Sequence, residues 1–108
     1  LVPRPETETL VSRVLDLCRE AAAPNILDVG TGSGAIAVTL AKKLPRATIT
    51  ASDVSPAALA VAKANAARHG VTDRVAFVEA DLLSDGRLAG PWDVIASNPP
   101  YVRESEFA

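Results

Sequence analysis

Apolar residues recur along this chain with two different spacings. A spacing of three or four residues predicts a helix, and a short, nearly unbroken apolar run predicts a buried strand. The elements predicted in chain order are a helix at residues 6–20, a strand at 26–29, a helix at 35–44, a strand at 47–52, a helix at 55–69, and strands at 75–78 and 92–97.

The alternation of strands and helices predicts an α/β fold. Strands joined by helices form right-handed crossovers and therefore a parallel sheet. We expect a Rossmann-like sheet with the strand order 3-2-1-4 and flanking helices, truncated after the fourth strand. In such a sheet the ligand crevice lies outside the carboxyl ends of strands 1 and 4.

Length and composition limit the chain to one small domain. It has 108 residues, 48% hydrophobic and 22% charged, so we expect a buried core. The net charge of -2 gives no general attraction for nucleic acid or an anionic membrane. Cys18 is the single cysteine, which predicts a buried thiol and no metal site. Without a long apolar run or a secretion signal, we predict a cytoplasmic location.

Three glycines follow the first predicted strand and precede a helix. Gly30, Gly32 and Gly34 alternate with Thr31 and Ser33, and glycine lets a ligand approach the backbone closely. The N–H groups at the start of the next helix point toward the same crevice. The pattern therefore predicts a ligand-binding loop. It also satisfies the relaxed dinucleotide motif G-x-G-x-x-A, which keeps an NAD-binding oxidoreductase domain as an alternative.

Acidic residues follow the second and third predicted strands. Asp53 lies where nucleotide-binding sheets place a carboxylate that accepts hydrogen bonds from both ribose hydroxyls. Asp81 is a candidate acceptor for the exocyclic amine of adenine, with Leu82 packed on the ring. The alternative for Asp81 is a solvated loop acid. These residues predict an adenosine site, but they do not separate an adenosyl group from NAD.

The segment after the fourth predicted strand reads Asn98, Pro99, Pro100 and Tyr101. Two prolines keep the backbone extended and remove two N–H groups, so carbonyls can face outward as acceptors. The side-chain oxygen of Asn98 and the carbonyl of Pro99 could accept both protons of a planar NH2 group, with Tyr101 as an aromatic wall. A dehydrogenase has no need of such a clamp, so the segment favours chemistry on an amino or amide nitrogen.

These motifs together resemble those of class I methyltransferases that modify planar amino groups. That group includes adenine-N6 and cytosine-N4 DNA methylases, guanine-N2 rRNA methylases and protein glutamine-N5 methylases. The opening Val-Pro-Arg-Pro-Glu-Thr-Glu at residues 2–8 narrows the choice. It is similar to the segment that precedes the catalytic domain in peptide chain release factor N5-glutamine methyltransferases, the HemK/PrmC family. The resemblance covers essentially all 108 residues.

The resemblance implies S-adenosylmethionine as the cofactor and a class 1 peptide chain release factor as the protein substrate. The methyl acceptor would be the side-chain amide nitrogen, N5, of the glutamine in the Gly-Gly-Gln tripeptide. The implied cofactor contacts are Gly30, Thr31, Gly32, Ser33 and Gly34 for the methionine part, Asp53 for the ribose, Asp81 and Leu82 for the adenine, and Asn98 for both cofactor and substrate. Pro99, Pro100 and Tyr101 would complete the glutamine site, with Asn98, Pro99 and Tyr101 as the catalytic residues.

The family also contains a helical amino-terminal domain and further strands after the fourth. Residues 1–108 are therefore expected to form part of a methyltransferase domain. Nucleic-acid amino methyltransferases share the Asn-Pro-Pro-Tyr segment and are an alternative. A further alternative is a non-catalytic fragment that self-associates, since Val94 and Ile95 are expected on an exposed apolar strand edge that invites a homodimer.

Overall fold

Strands and helices alternate in the computed structural model, which describes residues 4–80 and 91–97. All strand pairs are parallel and the sheet order is β3-β2-β1-β4, which confirms the predicted order 3-2-1-4. The elements are α1 (Arg4–Leu17), β1 (Asn25–Val29), α2 (Ala35–Lys43), β2 (Thr48–Asp53), α3 (Pro56–Arg68), a 3-10 turn (Thr72–Arg74), β3 (Val75–Glu79) and β4 (Val94–Ser97).

The described helices pack on one face of the sheet. Val14 of α1, Leu40 of α2 and Ala66 of α3 belong to one core cluster with Ile26 and Ile49 of the sheet. Neighbouring residues of a strand point to opposite faces, and β1 follows this rule. Its next residue, Leu27, belongs to a second and smaller cluster with strand residues and loop residues, namely Val29, Val78, Ala80 and Trp92. β1 is therefore covered on both faces, as its apolar sequence predicted.

The helix boundaries follow local chemistry. The Ser55 hydroxyl accepts a hydrogen bond from the Ala58 N–H at 3.1 Å and Pro56 is the first residue of α3, as predicted. α1 begins two residues earlier than predicted because Pro5 fits the first turn, where its missing N–H would have no helical partner. The 3-10 turn was not predicted. Its Arg74 donates to the Ala41 carbonyl near the end of α2, where a cation is favourable.

The strand register aligns the carboxyl ends of all four strands at one edge of the sheet. Val29 pairs with Ser52 on one side and with Ser97 on the other. Asp53, the last residue of β2, pairs with Glu79 of β3. The loop that leaves β1 therefore lies level with Asp53, which places two predicted site elements side by side.

The structure also bears on the single cysteine and on the length of the helices. Cys18 is buried in the core, as predicted, and burial raises the pKa of its thiol. No helix in the described ranges 4–80 and 91–97 combines the length and apolar character needed to span a bilayer.

Candidate cofactor site at the carboxyl edge of the sheet

The glycine loop, residues 30–34, connects β1 to α2 and begins with a tight turn. The Thr31 N–H donates to the Ser52 carbonyl at 2.8 Å, which joins the loop to β2. The Gly34 N–H donates to the Thr31 carbonyl at 2.9 Å, which closes the turn. Gly32 in the turn has a φ of 59°, which lies in the left-handed region that glycine adopts without strain. The backbone of the loop is therefore held by its own hydrogen bonds and by the neighbouring strand.

The Asp53 carboxylate joins the glycine loop to the start of α3. Its Oδ2 accepts from the Gly32 N–H at 2.9 Å, and its Oδ1 accepts from the Ser55 N–H at 3.0 Å. The side chain is half-buried at the edge of the sheet. Each oxygen of an ionised carboxylate can accept about two hydrogen bonds. Counting the bonds from residues 4–80 and 91–97, each oxygen retains an acceptor position for a ligand hydroxyl. The two backbone hydrogen bonds fix the orientation of the carboxylate.

Asp28 lies beneath the loop as a buried carboxyl group with 1% of its surface exposed. Its Oδ2 accepts from the Thr31 hydroxyl at 2.8 Å, and the backbone of Ala37 in the first turn of α2 also bonds to it. Burial raises the pKa of Asp28 to about 6, and the negative charge of Asp53 adds to this effect, while the bonds from Thr31 and Ala37 oppose it. Asp28 thus ties the loop to the start of α2 from inside the protein.

α3 packs against the second half of the glycine loop. The Asn65 side chain donates from Nδ2 to the Ser33 carbonyl at 2.8 Å. A Cβ added to Gly34, whose φ is +82°, would come within 2.9 Å of the Ala62 Cβ. Only glycine therefore fits at this contact between the loop and α3.

The other side of the loop is open in the part of the chain that the structure describes. Apart from the chain neighbours, no described atom lies within 4 Å of a Cβ added to Gly30 or Gly32. A ligand could therefore approach the backbone at these two glycines, next to the Asp53 carboxylate. A nucleoside that carries a small polar group would fit here, because its hydroxyls could bond to the Asp53 carboxylate while the polar group lies over the glycine backbone.

The methyltransferase small domain family matches residues 6–108 of the chain. The chain belongs to this family. Release factor glutamine methyltransferases from Chlorobaculum tepidum and Koribacter versatilis are 51% and 53% identical to it, over 100% and 98% of the chain. The chain spans about 40% of the length of these curated relatives, 40% of the first and 37% of the second.

A solved structure shares both the fold and part of the sequence. It is an S-adenosylmethionine-dependent methyltransferase from Geobacter sulfurreducens in complex with S-adenosyl-L-homocysteine. Its TM-score is 0.59 and its sequence identity 31%, over 74% of this chain and 30% of that protein. The predicted Rossmann-like class I methyltransferase fold is therefore confirmed.

The structure brings some of the predicted site residues of this methyltransferase domain together. Gly30, Gly32 and Asp53 border the open space, and Ser33 is exposed beside them. Thr31 is buried, and its hydroxyl points inward to Asp28, so its predicted contact with the cofactor stays a prediction. Gly34 is buried against Ala62, so its predicted contact with the cofactor also stays a prediction. The other predicted residues lie outside the described ranges and their assignments stay predictions; they are Asp81, Leu82, Asn98, Pro99, Pro100 and Tyr101.

Residues that support the loop were missed by the sequence analysis. Asn65 and Ala62 of α3 carry no predicted role, although both shape the site. One signal was available for Asn65. Asparagine is a poor helix former, and here it interrupts an alanine-rich helix.

The hydrogen bonds of the loop argue against the alternative of a dinucleotide. Helix-start loops bind a pyrophosphate through free backbone N–H groups. Here the N–H groups of Thr31, Gly32 and Gly34 already donate within the protein. Asp28 and Asp53 also lie close enough to influence each other, so negative charge lies beneath and beside the loop. The methyltransferase family assignment agrees with the hydrogen-bond argument against a dinucleotide.

Proposed function

We propose that this domain binds S-adenosylmethionine at the glycine loop and belongs to a methyltransferase that modifies the N5 amide of a protein glutamine. The observation that carries the cofactor proposal is the Asp53 carboxylate beside the open backbone of Gly30 and Gly32. The name shared by the relatives supports a glutamine of a release factor as the methyl acceptor. The resemblance of the sequence implies that this is the glutamine of the Gly-Gly-Gln tripeptide in class 1 peptide chain release factors. The expected role is to modulate translation termination.

The residues at the edge of the sheet fit the parts of this cofactor. Gly30, Gly32 and the rest of the loop would hold the methionine part, and the two free acceptor positions of Asp53 would hold the ribose hydroxyls. Asp81 and Leu82 would hold the adenine. When bound, the cofactor supplies a methyl group that is already activated on a positively charged sulfur, which suits a site lined by carboxylates.

We propose that Asn98, Pro99, Pro100 and Tyr101 form the glutamine site. β4 ends at Ser97, which pairs with Val29, and Val29 directly precedes the glycine loop. This register supports a substrate site next to the cofactor site. The Asn98 side-chain oxygen and the Pro99 carbonyl would accept the two amide protons, while Tyr101 would flank the amide plane.

The chemistry requires alignment above all. An amide nitrogen is a poor nucleophile because its lone pair is delocalised into the carbonyl. Holding two reacting groups in line supplies up to roughly 7–11 kcal/mol of the barrier. Carbonyl oxygens aimed at the nitrogen would also favour the positive charge that develops on it, with Asn98 and Pro99 as their source. The proton lost after transfer can go to water.

The cofactor proposal is tested by calorimetric titration of the chain with S-adenosylhomocysteine, with NAD as the comparison ligand. We expect saturable binding of S-adenosylhomocysteine and none of NAD. Binding of NAD alone would overturn the proposal. Because Asp53 and the loop are prearranged, replacing Asp53 with asparagine should also weaken the binding.

The substrate proposal is tested by transfer of a labelled methyl group in the full-length protein. A release factor is compared with DNA and rRNA, and a release factor with Gly-Gly-Ala in place of Gly-Gly-Gln is the control. Label in the first substrate alone supports the proposal. Label in a nucleic acid alone would establish the alternative of a nucleic-acid amino methyltransferase.

We also propose that the isolated chain self-associates through β4. In the part of the sheet that the structure describes, β4 pairs with β1 on one side. Its Ile95 is 54% exposed, which is high for a large apolar residue in a strand. The proposed homodimer concerns the 108-residue chain by itself, and it is compatible with the proposed methyltransferase function. The cytoplasmic location stays a prediction.

A further inference from the structure

The peptide unit between Ser33 and Gly34 is fixed at both ends. Its carbonyl oxygen accepts from the Asn65 side chain at 2.8 Å, and its N–H donates to the Thr31 carbonyl at 2.9 Å. Because a peptide unit is planar, two hydrogen bonds at opposite ends determine its orientation. The orientation of the turn at residues 31–34 therefore depends on a side chain that lies 32 residues further along the chain.

The contact between Gly34 and Ala62 brings α3 close enough for this hydrogen bond. Ala62 and Asn65 are three residues apart and lie on the same side of α3. At Gly34 the space toward Ala62 is too small for a Cβ, so the loop backbone lies directly on the helix. Ala62 thus sets the distance between loop and helix, and Asn65 sets the direction of the peptide.

The first half of the loop is held by different groups. Ser52 accepts from the Thr31 N–H, and Asp53 accepts from the Gly32 N–H. The second half of the loop receives a side-chain hydrogen bond from Asn65, which belongs to α3 and not to β2. Removing it leaves the β2 contacts in place and releases one end of the Ser33–Gly34 peptide.

We infer that Asn65 is a positioning residue for the cofactor: it orients the Ser33–Gly34 peptide so that the glycine loop is preset for its ligand. This inference rests on the proposed function, since it assigns the loop as the cofactor site. Asn65 acts through the loop backbone and has no direct contact with the ligand in this assignment. Losing one hydrogen bond of this type should weaken ligand binding by roughly three- to tenfold.

The chain offers a matched control for the substitution. Asn25 also donates from Nδ2 to a backbone carbonyl, that of Pro91, at 2.8 Å. It is the first residue of β1 and therefore lies at the opposite edge of the sheet from the glycine loop. Asn65→Leu and Asn25→Leu remove the same kind of hydrogen bond, and both side chains are partly exposed. Asn65→Asp separates the hydrogen bond from the shape of the side chain, since aspartate has nearly the same shape as asparagine and lacks the NH2 donor.

The experiment combines calorimetric titration with S-adenosylhomocysteine and NMR measurement of amide exchange at Gly34 in the free chain. We expect Asn65→Leu and Asn65→Asp to weaken binding by roughly three- to tenfold and to speed Gly34 exchange by a similar factor. Asn25→Leu should change neither quantity. Leucine is a better helix former than asparagine, so loss of α3 would not explain the result for Asn65→Leu.

The exchange and binding measurements test the positioning role of Asn65 separately from the identity of the cofactor. Gly34 exchange that is equal in Asn65→Leu and Asn25→Leu overturns the positioning role, whether or not any ligand binds. Unchanged binding in both Asn65 variants likewise overturns it. If exchange is faster in the Asn65 variants but the original chain binds no S-adenosylhomocysteine, the control of the loop by Asn65 stands and the proposed cofactor fails.

Discussion

The Oδ2 of Asp53 lies 2.9 Å from the backbone nitrogen of Gly32 and accepts its hydrogen bond. The two residues are 21 positions apart in sequence and meet because β2 pairs with β1. The second oxygen of the same carboxylate accepts from the Ser55 N–H at 3.0 Å. The acid that we propose as the ribose ligand is thus oriented by the loop that we propose for the methionine part. Both halves of the cofactor site therefore depend on one side chain.

Replacing Asp53 with asparagine should weaken S-adenosylhomocysteine binding. Asparagine has nearly the same shape, but its NH2 group would face the N–H of Gly32 or Ser55 in place of an acceptor. Losing a hydrogen bond to a charged group corresponds to about 1.5–3 kcal/mol, so we expect roughly 10- to 100-fold weaker binding by calorimetry. The control is Asp73→Asn, the same change at an exposed acid of the 3-10 turn. Equal affinities of the two variants would contradict the role of Asp53.

The buried Asp28 should make stability depend on pH. Its folded-state pKa is raised from 3.8 to about 6, so between these values the folded protein binds more protons than the unfolded chain. The contribution of Asp28 to stability is therefore most favourable below about pH 4, falls as the pH rises to about 6, and stays low above that. The full change is about 3 kcal/mol at 1.36 kcal/mol per pKa unit.

The measurement for Asp28 is urea unfolding of the original chain and of Asp28→Asn at several pH values between 4 and 7. Asparagine does not titrate, and carboxyl groups that lie away from residue 28 affect both proteins equally. Asp53 interacts with Asp28, so its effect is part of the pH-dependent difference. We expect the stability of the original chain relative to the variant to decline by up to about 3 kcal/mol as the pH rises across this range. If the difference in free energy of unfolding between the two proteins does not depend on pH, the pKa of Asp28 is not raised.

Gly34→Ala should destabilise the protein by more than its backbone conformation alone requires. A left-handed φ costs a non-glycine residue roughly 1–2 kcal/mol, and the new Cβ would also lie 2.9 Å from the Ala62 Cβ. Overpacking of this kind adds roughly 1–3 kcal/mol. Gly70→Ala is the control, because Gly70 has a φ of +70° and, among the described residues beyond its chain neighbours, no atom lies within 4 Å of the added Cβ. Thermal or urea unfolding should show the larger loss of stability for Gly34→Ala. Equal losses of stability in the two variants would refute the contact with α3.

Asn98→Ala in the full-length protein should lower turnover far more than cofactor affinity. A preset acceptor for the amide protons acts mainly during transfer, and removing one such group typically lowers kcat by roughly 100-fold or more. Steady-state methylation of a release factor gives kcat, and titration with S-adenosylhomocysteine gives the affinity. Asn25→Ala is the same change at the opposite edge of the sheet. Turnover that is unchanged by Asn98→Ala would rule out the clamp.

Self-association through β4 should depend on Ile95. Light scattering of the chain at increasing concentration is expected to show dimers, and Ile95→Lys should restore the monomer because charge on a strand edge opposes pairing. Val61→Lys changes an exposed apolar residue of α3 that lies away from the edge, with a similar exposure of 51% against 54% for Ile95. A monodisperse monomer at high concentration before any substitution would count against the homodimer.

The periodicity of apolar residues was enough to predict the helices and strands, because each is determined by local repeats. The handedness of crossovers predicted a parallel sheet, and the strand order 3-2-1-4 was expected from the Rossmann-like pattern. The errors fell at the ends of helices and strands and at Thr72–Arg74, where a few hydrogen bonds decide the conformation. The glycine loop and Asp53 were also predicted, since both occur at fixed places after a strand.

The supporting residues of the site depended on tertiary structure. Asn65 binds Ser33 across 32 residues, and Ala62 packs on Gly34 only because α3 crosses the loop. Sequence spacing carries no information on which side chain meets which backbone group across such a gap. Sequence alone thus determined the fold, and it predicted the glycine loop and Asp53 as candidate ligand-binding elements. The packing of α3 and the burial of Asp28 decided how the loop is held, because both are properties of the assembled core.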